Sequence, residues 1–309
     1  NAAVKRDGGL AGVSTGLRDL DRMMGGLHPS DLIILAGRPS MGKSSLGTNI
    51  GVNVAKAFKP EKQADGTLKT VEGGVVGLFS LEMSAEQIAT RIISEFAQVP
   101  SEKIRRGEVD QDQFDKIYHA ARDLEKMPLY IDDTGGLSIA QLAARARRLK
   151  RQHGLDLLII DYIQLLTSSA RRNDGRVQEI TEISQGLKAL AKELNVPIIG
   201  LAQLSRQVEN RDDKRPQLSD LRESGSIEQD ADVVLFIFRE KYYLSRAEPR
   251  EGTEDHTKWL GRLAEVGDTA EVIIGKQRHG PIGKVDLHFE EKFTKFSDLA
   301  HDRHGGYER

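Results

Sequence analysis

Short, unbroken apolar runs recur along most of this chain: LIILA (32–36), VVGLFS (75–80), PLYID (128–132), LLIID (157–161), PIIGLA (197–202) and VVLFIF (233–238). Runs of this kind, without apolar–polar alternation, predict strands covered on both faces, as in a parallel sheet. The segments between them carry helical spacing. Leu46, Ile50, Val54 and Phe58 share one helical face, as do Ile180, Ile183, Leu187, Leu190 and Leu194 in a helix over 177–194. Ser84 with Gln87, and Ser138 with Gln141, have the spacing of capping boxes, opening helices that run to about Val99 and His153. A charged helix is predicted over roughly 110–126. EVIIG (271–275) and KVDLHF (284–289) flank a short Gly/Pro turn and predict an antiparallel hairpin at the sheet edge.

Together these elements predict an α/β fold with a mostly parallel sheet, helices on both faces and a C-terminal antiparallel edge hairpin. Residues 1–12 are small, charged and glycine-rich, the end of a linker, and 13–309 form one domain whose elements run from Val13 to Phe296. The chain starts with Asn rather than Met, so we expect it to be cut from something longer. The polar stretches 59–74 and 246–268 are expected to be exposed insertions, with Trp259 anchoring the second to the domain.

Composition narrows the chemistry without naming it. The 309 residues are 38% hydrophobic and 30% charged, with a formal net charge of −2, which argues against a histone-like basic binder. A local basic cluster can still hold nucleic acid. There are no cysteines, which rules out disulfides and Cys-ligated zinc or iron–sulfur centres and fits a reducing, cytoplasmic compartment. No run approaches 18 apolar residues, so no membrane partner is expected.

After the first strand comes Gly37-Arg38-Pro39-Ser40-Met41-Gly42-Lys43-Ser44-Ser45, two glycines bracketing four residues and then Lys and a hydroxyl. At about 7% average glycine usage this pattern arises by chance in only about 1 in 100 chains of this length. Here the required strand precedes it and a helix follows. The glycines let a row of N–H groups turn onto an anion, and the helix adds the positive end of its dipole. Lys43 is suited to the β- and γ-phosphates and Ser44 to Mg²⁺, so ATP with Mg²⁺ is the expected ligand pair. In a parallel sheet, chemistry gathers at the carboxyl ends of the strands. Three polar residues end predicted strands there. Asp161 suits a second Mg²⁺-holding position or a turn cap. Glu82 suits a carboxylate that orients or deprotonates water, or a first-turn acid facing a helix dipole. Gln203 suits a γ-phosphate sensor or a buried structural amide. Lys276 and Arg278, on the residues alone, are a solvated strand end.

GRPSMGKSS, SLEMS (80–84), LLIIDYIQLL (157–166), LAQLSR (201–206), SDLRESGSIEQDADVVLFI (219–237) and KQRHGPIG (276–283) occur in one order with compatible spacing. With these motifs the chain resembles the C-terminal ATPase domain of bacterial replicative DNA helicases of the DnaB type, within the RecA-like superfamily. The resemblance covers nearly everything from Leu10 to Phe296. It implies a RecA-like P-loop NTPase fold and a motor that hydrolyses ATP at the interfaces of a homohexameric ring, moves 5′ to 3′ on single-stranded DNA and unwinds duplex. It assigns Lys43 and Ser44 to phosphate and metal, Asp161 to the metal, Glu82 to catalysis and Gln203 to γ-phosphate sensing. Lys276 and Arg278 match a pair that reaches a neighbour's nucleotide, with Arg278 as arginine finger. Arg222, Glu223 and Gly225 match residues that hold the DNA backbone. Arg171 and Arg172, with Arg176, lie in a polar loop that either adds to the DNA-facing field or is plain surface. Neither loop has an aromatic residue, so binding is expected to be electrostatic and salt-sensitive. A primase and a helicase loader are implied partners. An N-terminal domain and a linker helix, expected in the family, are missing before Leu10. A RecA- or RadA-like recombinase and an ATP-switched loader are the competing activities; SLEMS and SDLRESG favour the helicase.

Overall fold

The computed structural model describes residues 10–63, 66, 68–168 and 175–299. Its organising strand is β1 (Leu32–Gly37), buried at every position, preceded by α1 (Arg18–Met24) and followed by α2 (Lys43–Lys56). Next come the hairpin β2 (Lys59–Lys62) and β3 (Leu68–Glu72), β4 (Val76–Ser80), α3 (Ala85–Ala97), α4 (Ser101–Arg106) and α5 (Gln111–Glu125). They are followed by β5 (Leu129–Asp132), α6 (Ile139–His153), β6 (Leu157–Asp161), α7 (Gly175–Leu194), β7 (Ile198–Gln203), α8 (Gly225–Asp230) and β8 (Val233–Phe238). The chain closes with α9 (Glu240–Leu244), α10 (Glu254–Val266), β9 (Thr269–Gln277), β10 (Gly283–Glu290) and β11 (Lys295–Asp298).

Among the described residues, nine of these strands make one sheet in the order β11-β10-β9-β8-β1-β7-β6-β4-β5. β1 is hydrogen-bonded in parallel to β7 and β8, and the parallel pairing continues through β6, β4 and β5. β9, β10 and β11 are antiparallel. The strand period of two divides the core. Ile33 and Leu35, with Ile199, Leu201, Leu157 and Ile159, face α2; Leu32, Ile34 and Ala36, with Leu158, Ile160 and Ile198, face the layer built from α6 and α7. That two-sided burial is why the strands carry unbroken apolar runs. In α2, Leu46, Ile50 and Val54 are at most 1% exposed, each contributing roughly 1.5–3 kcal/mol of burial. Gly51 lets the helix lie close to the sheet, since a Cβ there would stand 2.9 Å from the Ile159 side chain.

Both capping boxes read from the sequence are formed, at Ser84–Gln87 and Ser138–Gln141, and a third caps α5 at Asp110–Gln113. Three features differ from the sequence expectation. The edge hairpin is not outermost: β11 pairs beyond it, a strand of four residues whose single buried apolar residue, Phe296, leaves no readable pattern. The polar stretch 59–74 contains the exposed hairpin β2–β3, held by main-chain pairing rather than by an apolar face. The second insertion contains α10, and Trp259 ties it to α9 rather than to the sheet, its Nε1 donating to the Leu244 carbonyl at 2.8 Å. α9 in turn reaches the sheet where Tyr243 stacks on Phe238 at 5.8 Å. Among the described residues, no helix is long and apolar enough to cross a membrane.

Candidate active site

The carboxyl ends of β1, β7, β6 and β4 lie side by side, and the sequence puts a polar residue at or just after each. Gly37 is level with Gln203 in the β1–β7 ladder, and Ser80 with Asp161 in the β4–β6 ladder, two residues before Glu82. The loop after β1 turns through positive φ at Ser40 (67°) and Gly42 (97°) before α2 begins at Lys43. Gly42 has no room for a side chain, since a Cβ would meet the Phe296 ring at 2.7 Å. Arg239 donates to the Ser40 carbonyl at 3.3 Å and lies 4.0 Å from the centroid of the Phe289 ring, fixing the loop against the C-terminal strands.

These elements enclose an open cleft of about 530 Å³, lined among others by Arg38, Pro39, Ser40, Gly42, Lys43, Ser44, Ser45, Glu82 and Gln203. Met41 is 1% exposed and packs into the core instead. Asp161 lines a small adjoining cavity with Ser44. Thus Lys43, Ser44, Glu82, Asp161 and Gln203, scattered over 160 residues of sequence, are brought to one end of the sheet.

The electrostatics are those of charges held out of water. Burial holds the Lys43 ammonium below its ordinary 10.5, against the pull of Asp161 and Glu82. Its Nζ lies 4.9 Å over the Tyr162 ring. Burial pushes the Asp161 carboxyl above its ordinary 3.8, opposed by a hydrogen bond from Ser44 and the charge of Lys43. Asp161 Oδ1 is buried with no hydrogen-bond partner among the described residues. A free carboxylate oxygen beside a serine hydroxyl fits Mg²⁺, which keeps several waters and takes one or two protein oxygens together with substrate phosphates. In agreement, no cage of three or more His, Cys, Asp or Glu exists among the described residues.

Lys276 and Arg278 are not part of this cleft. β9 runs antiparallel to β8, with Gln277 opposite Val233 at the amino end of the parallel strands. The six residues of β1 separate that end from the cleft, roughly 20 Å along the strands, beyond the reach of an arginine side chain. There Lys276 Nζ donates to the carbonyls of Glu228 (2.5 Å) and Ala231 (2.7 Å), and Arg278 Nε lies 3.4 Å from the Asp232 carboxylate. Burial and the neighbouring Arg278 lower the Lys276 pKa.

Gly225 opens α8 at an exposed position with no atom within 4 Å of where a Cβ would sit. Arg222 and Glu223 lie on the 3₁₀ turn Leu218–Ser224, and their side chains are outside the described structure. Arg171 and Arg172 lie outside the described residues. Arg176 is engaged within the chain, pairing with Glu179 and donating to the Gln164 carbonyl at 2.5 Å.

Several cleft residues escaped the sequence reading. Arg91 of α3 lines the cleft, seven residues after the Ser84 N-cap; two helical turns return it to the same side, a signal that was legible. Gln164 grips the main chain of Gln203 from both directions, accepting from its N–H at 3.2 Å and donating to its carbonyl at 3.0 Å. Arg239, Phe289, Glu291 and Thr294 come from the antiparallel edge, and no local pattern marked them.

A sequence model of the family described as "DnaB-like helicase C terminal domain" matches residues 12–298. The replicative DNA helicase DnaB of Rickettsia prowazekii is 49% identical over 299 residues, 97% of this chain and 60% of that protein. Among solved structures, an isolated ATPase domain has a TM-score of 0.80 at 36% identity, over 96% of this chain and 95% of that one. A DnaB-like replicative helicase, solved in a study of its interactions with primase, has a TM-score of 0.80 at 35% identity, over 96% and 66% of the two chains. The chain spans about 60% of the length of the curated relative it matches.

Proposed function

The chain belongs to the DnaB-like helicase C-terminal domain family, and from that premise we propose that it is the ATP-driven motor of a ring-shaped replicative DNA helicase. One observation carries the reading. Lys43, Ser44, Glu82, Asp161 and Gln203 converge on one open cleft, while the basic pair Lys276 and Arg278 sits at the opposite end of the sheet. A pair so situated serves a nucleotide only on a second copy, so the complete site lies between subunits, and a homohexamer is the assembly family membership favours.

The phosphate loop binds the triphosphate of ATP through its N–H groups and Lys43. Ser44 and Asp161 would hold Mg²⁺, which supplies positive charge to the β- and γ-phosphates. Glu82 orients the attacking water and accepts its proton, and the Gln203 amide reports whether the γ-phosphate is present. Arg278 of the neighbour neutralises charge as the phosphoryl group transfers. Gly225 and the side chains of Arg222 and Glu223, with Arg171 and Arg172 adding positive field, hold the backbone of single-stranded DNA without reading its sequence. Movement is 5′ to 3′, and a primase and a loader are the protein partners consistent with the family.

The test is strand displacement on a forked DNA duplex. ATP-dependent displacement is expected from the parent. Glu82→Gln should keep nucleotide affinity within about threefold and lose turnover by about 10²-fold or more. Strand exchange without displacement would replace the helicase by a recombinase, and unchanged turnover in Glu82→Gln would remove that residue from catalysis.

A further inference from the structure

Arg38 is the second residue of the phosphate loop, and its guanidinium is committed elsewhere on the protein. Its side chain is 9% exposed. Nε and Nη2 each lie 2.9 Å from Oε1 of Glu209, and Nη1 donates to the Leu204 carbonyl at 2.9 Å. One residue earlier, the Gly37 carbonyl accepts from the Leu204 N–H at 3.3 Å. The start of the phosphate loop is therefore joined to the chain leaving β7. Glu209 sits on the 3₁₀ turn Arg206–Asn210, which is seated in the core by Val208 at 0% exposure.

That turn begins the segment leading to Arg222 and Gly225. Two residues after Glu209, Arg211 makes a two-pronged ion pair with Asp220, at 3.2 and 2.9 Å, and the Asp220 carbonyl accepts from Ser205 N–H at 3.4 Å. Asp220 is two residues before Arg222. The base of the segment is thus closed on itself by one ion pair and attached to the phosphate loop by the other.

We infer that the Arg38–Glu209 pair is a latch coupling the nucleotide cleft to the DNA-facing segment, with Glu209 as its positioning residue. Arg38 lines the cleft, so a triphosphate there competes with the Glu209 carboxylate for the guanidinium. Nucleotide loosens the latch and frees the turn. DNA that draws the segment outward releases Arg38 towards the phosphates. Each ligand favours the open latch, so each tightens the other's binding by the same factor. Glu209 is the partner that can be changed without touching the cleft: its side chain is 44% exposed, against 9% for Arg38.

This inference rests on the proposed motor function, and binding measurements separate the two. Affinity for a fluorescent oligodeoxythymidine is measured with and without a non-hydrolysable ATP analogue. In the parent the analogue should tighten binding at least fivefold, within the usual range of about 5–150-fold for coupled sites. In Glu209→Gln, binding without analogue should tighten at least threefold and the analogue should add less than twofold. Asp212→Asn removes a charge from the same segment without touching Arg38 and should keep the parental ratio, and Glu209→Asp should recover most of it. A parental ratio in Glu209→Gln overturns the latch. So does loss of the ratio through weaker binding with analogue, because the pair is then a strut that transmits only when closed. A parent with no affinity for the oligonucleotide overturns the motor reading itself, and the latch with it.

Discussion

The two ends of the parallel sheet handle buried charge in opposite ways. At the carboxyl end, Lys43 is desolvated, Asp161 is pushed up by burial, and one of its oxygens has no hydrogen-bond partner among the described residues. At the amino end, the buried Asp232 carboxylate accepts from Leu32 N–H at 2.8 Å and Lys188 Nζ at 2.5 Å and faces Arg278, while Lys276 is engaged by carbonyls leading into β8. Both ends contain charges in low dielectric, where a partner decides whether they cost or contribute. The amino end supplies partners from its own chain and is organised for stability. The carboxyl end leaves capacity free, which suits a ligand that brings its own charge. Arg278 crosses that division, held loosely at the stable end yet needed, in the proposed reaction, at a reactive one.

The comparison is broken most forcefully by Arg278→Ala. Turnover should fall by about 10³-fold or more, the usual worth of an arginine finger. Nucleotide affinity should stay near that of the parent, because the residue is far from its own chain's cleft. Mixing these subunits with Lys43→Ala subunits should regain activity, since some interfaces then pair an intact finger with an intact loop. Phosphate release from the mixture measures this, and no gain at any ratio would mean that the sites are not shared.

Asp232→Ala probes the stable end. It leaves Lys188, 17% exposed, without its carboxylate and takes an acceptor from the Leu32 amide. Loss of one partner of a buried pair costs about 3–5 kcal/mol, readable in urea unfolding. A cost below about 1 kcal/mol would show the amino end to be no more than solvated surface.

The smallest effect, and the sharpest in sign, belongs to Asp161→Asn. Asp161 has a folded-state pKa above 3.8, so its protonated form favours folding. That contribution is full below 3.8 and is lost as pH rises through the raised folded value. Above it the ionised carboxylate costs the chain stability. The Asn variant should therefore be more stable than the parent at pH 7, by a margin that shrinks towards pH 4, while its turnover collapses. Unfolding midpoints at the two pH values test the sign. A variant less stable than the parent at pH 7 would mean that Lys43 needs Asp161 more than burial penalises it.

Much of this was legible beforehand, for reasons that can be named. The apolar runs at 32–36, 157–161 and 233–238 specify strands buried on both faces, and the capping boxes at Ser84 and Ser138 mark helix starts. Such signals are local, because a side chain's period and a cap's hydrogen bond need only neighbours in sequence. The same locality makes the phosphate loop recognisable, since its glycines, lysine and serine are contiguous.

What only the tertiary structure decided depends on strand order and register. β11 is too short to carry a period, and the cleft residues Arg239, Phe289 and Glu291 arrive from the far, antiparallel end of the chain. The positions of Lys276 and Arg278 follow from β9 running antiparallel beside β8, a pairing in which one reversal of direction moves a residue from one end of the sheet to the other. The commitment of Arg38 to Glu209 is of the same kind. A guanidinium next to a phosphate loop is expected, from sequence, to serve the phosphate; which acceptors it meets is settled by how the chain after β7 packs against the loop. Sequence by itself determined the elements and the triphosphate chemistry, because both are written in adjacent residues. Which charges face each other was left to the fold, because Coulomb and hydrogen-bond energies depend on distances that no spacing along the chain encodes.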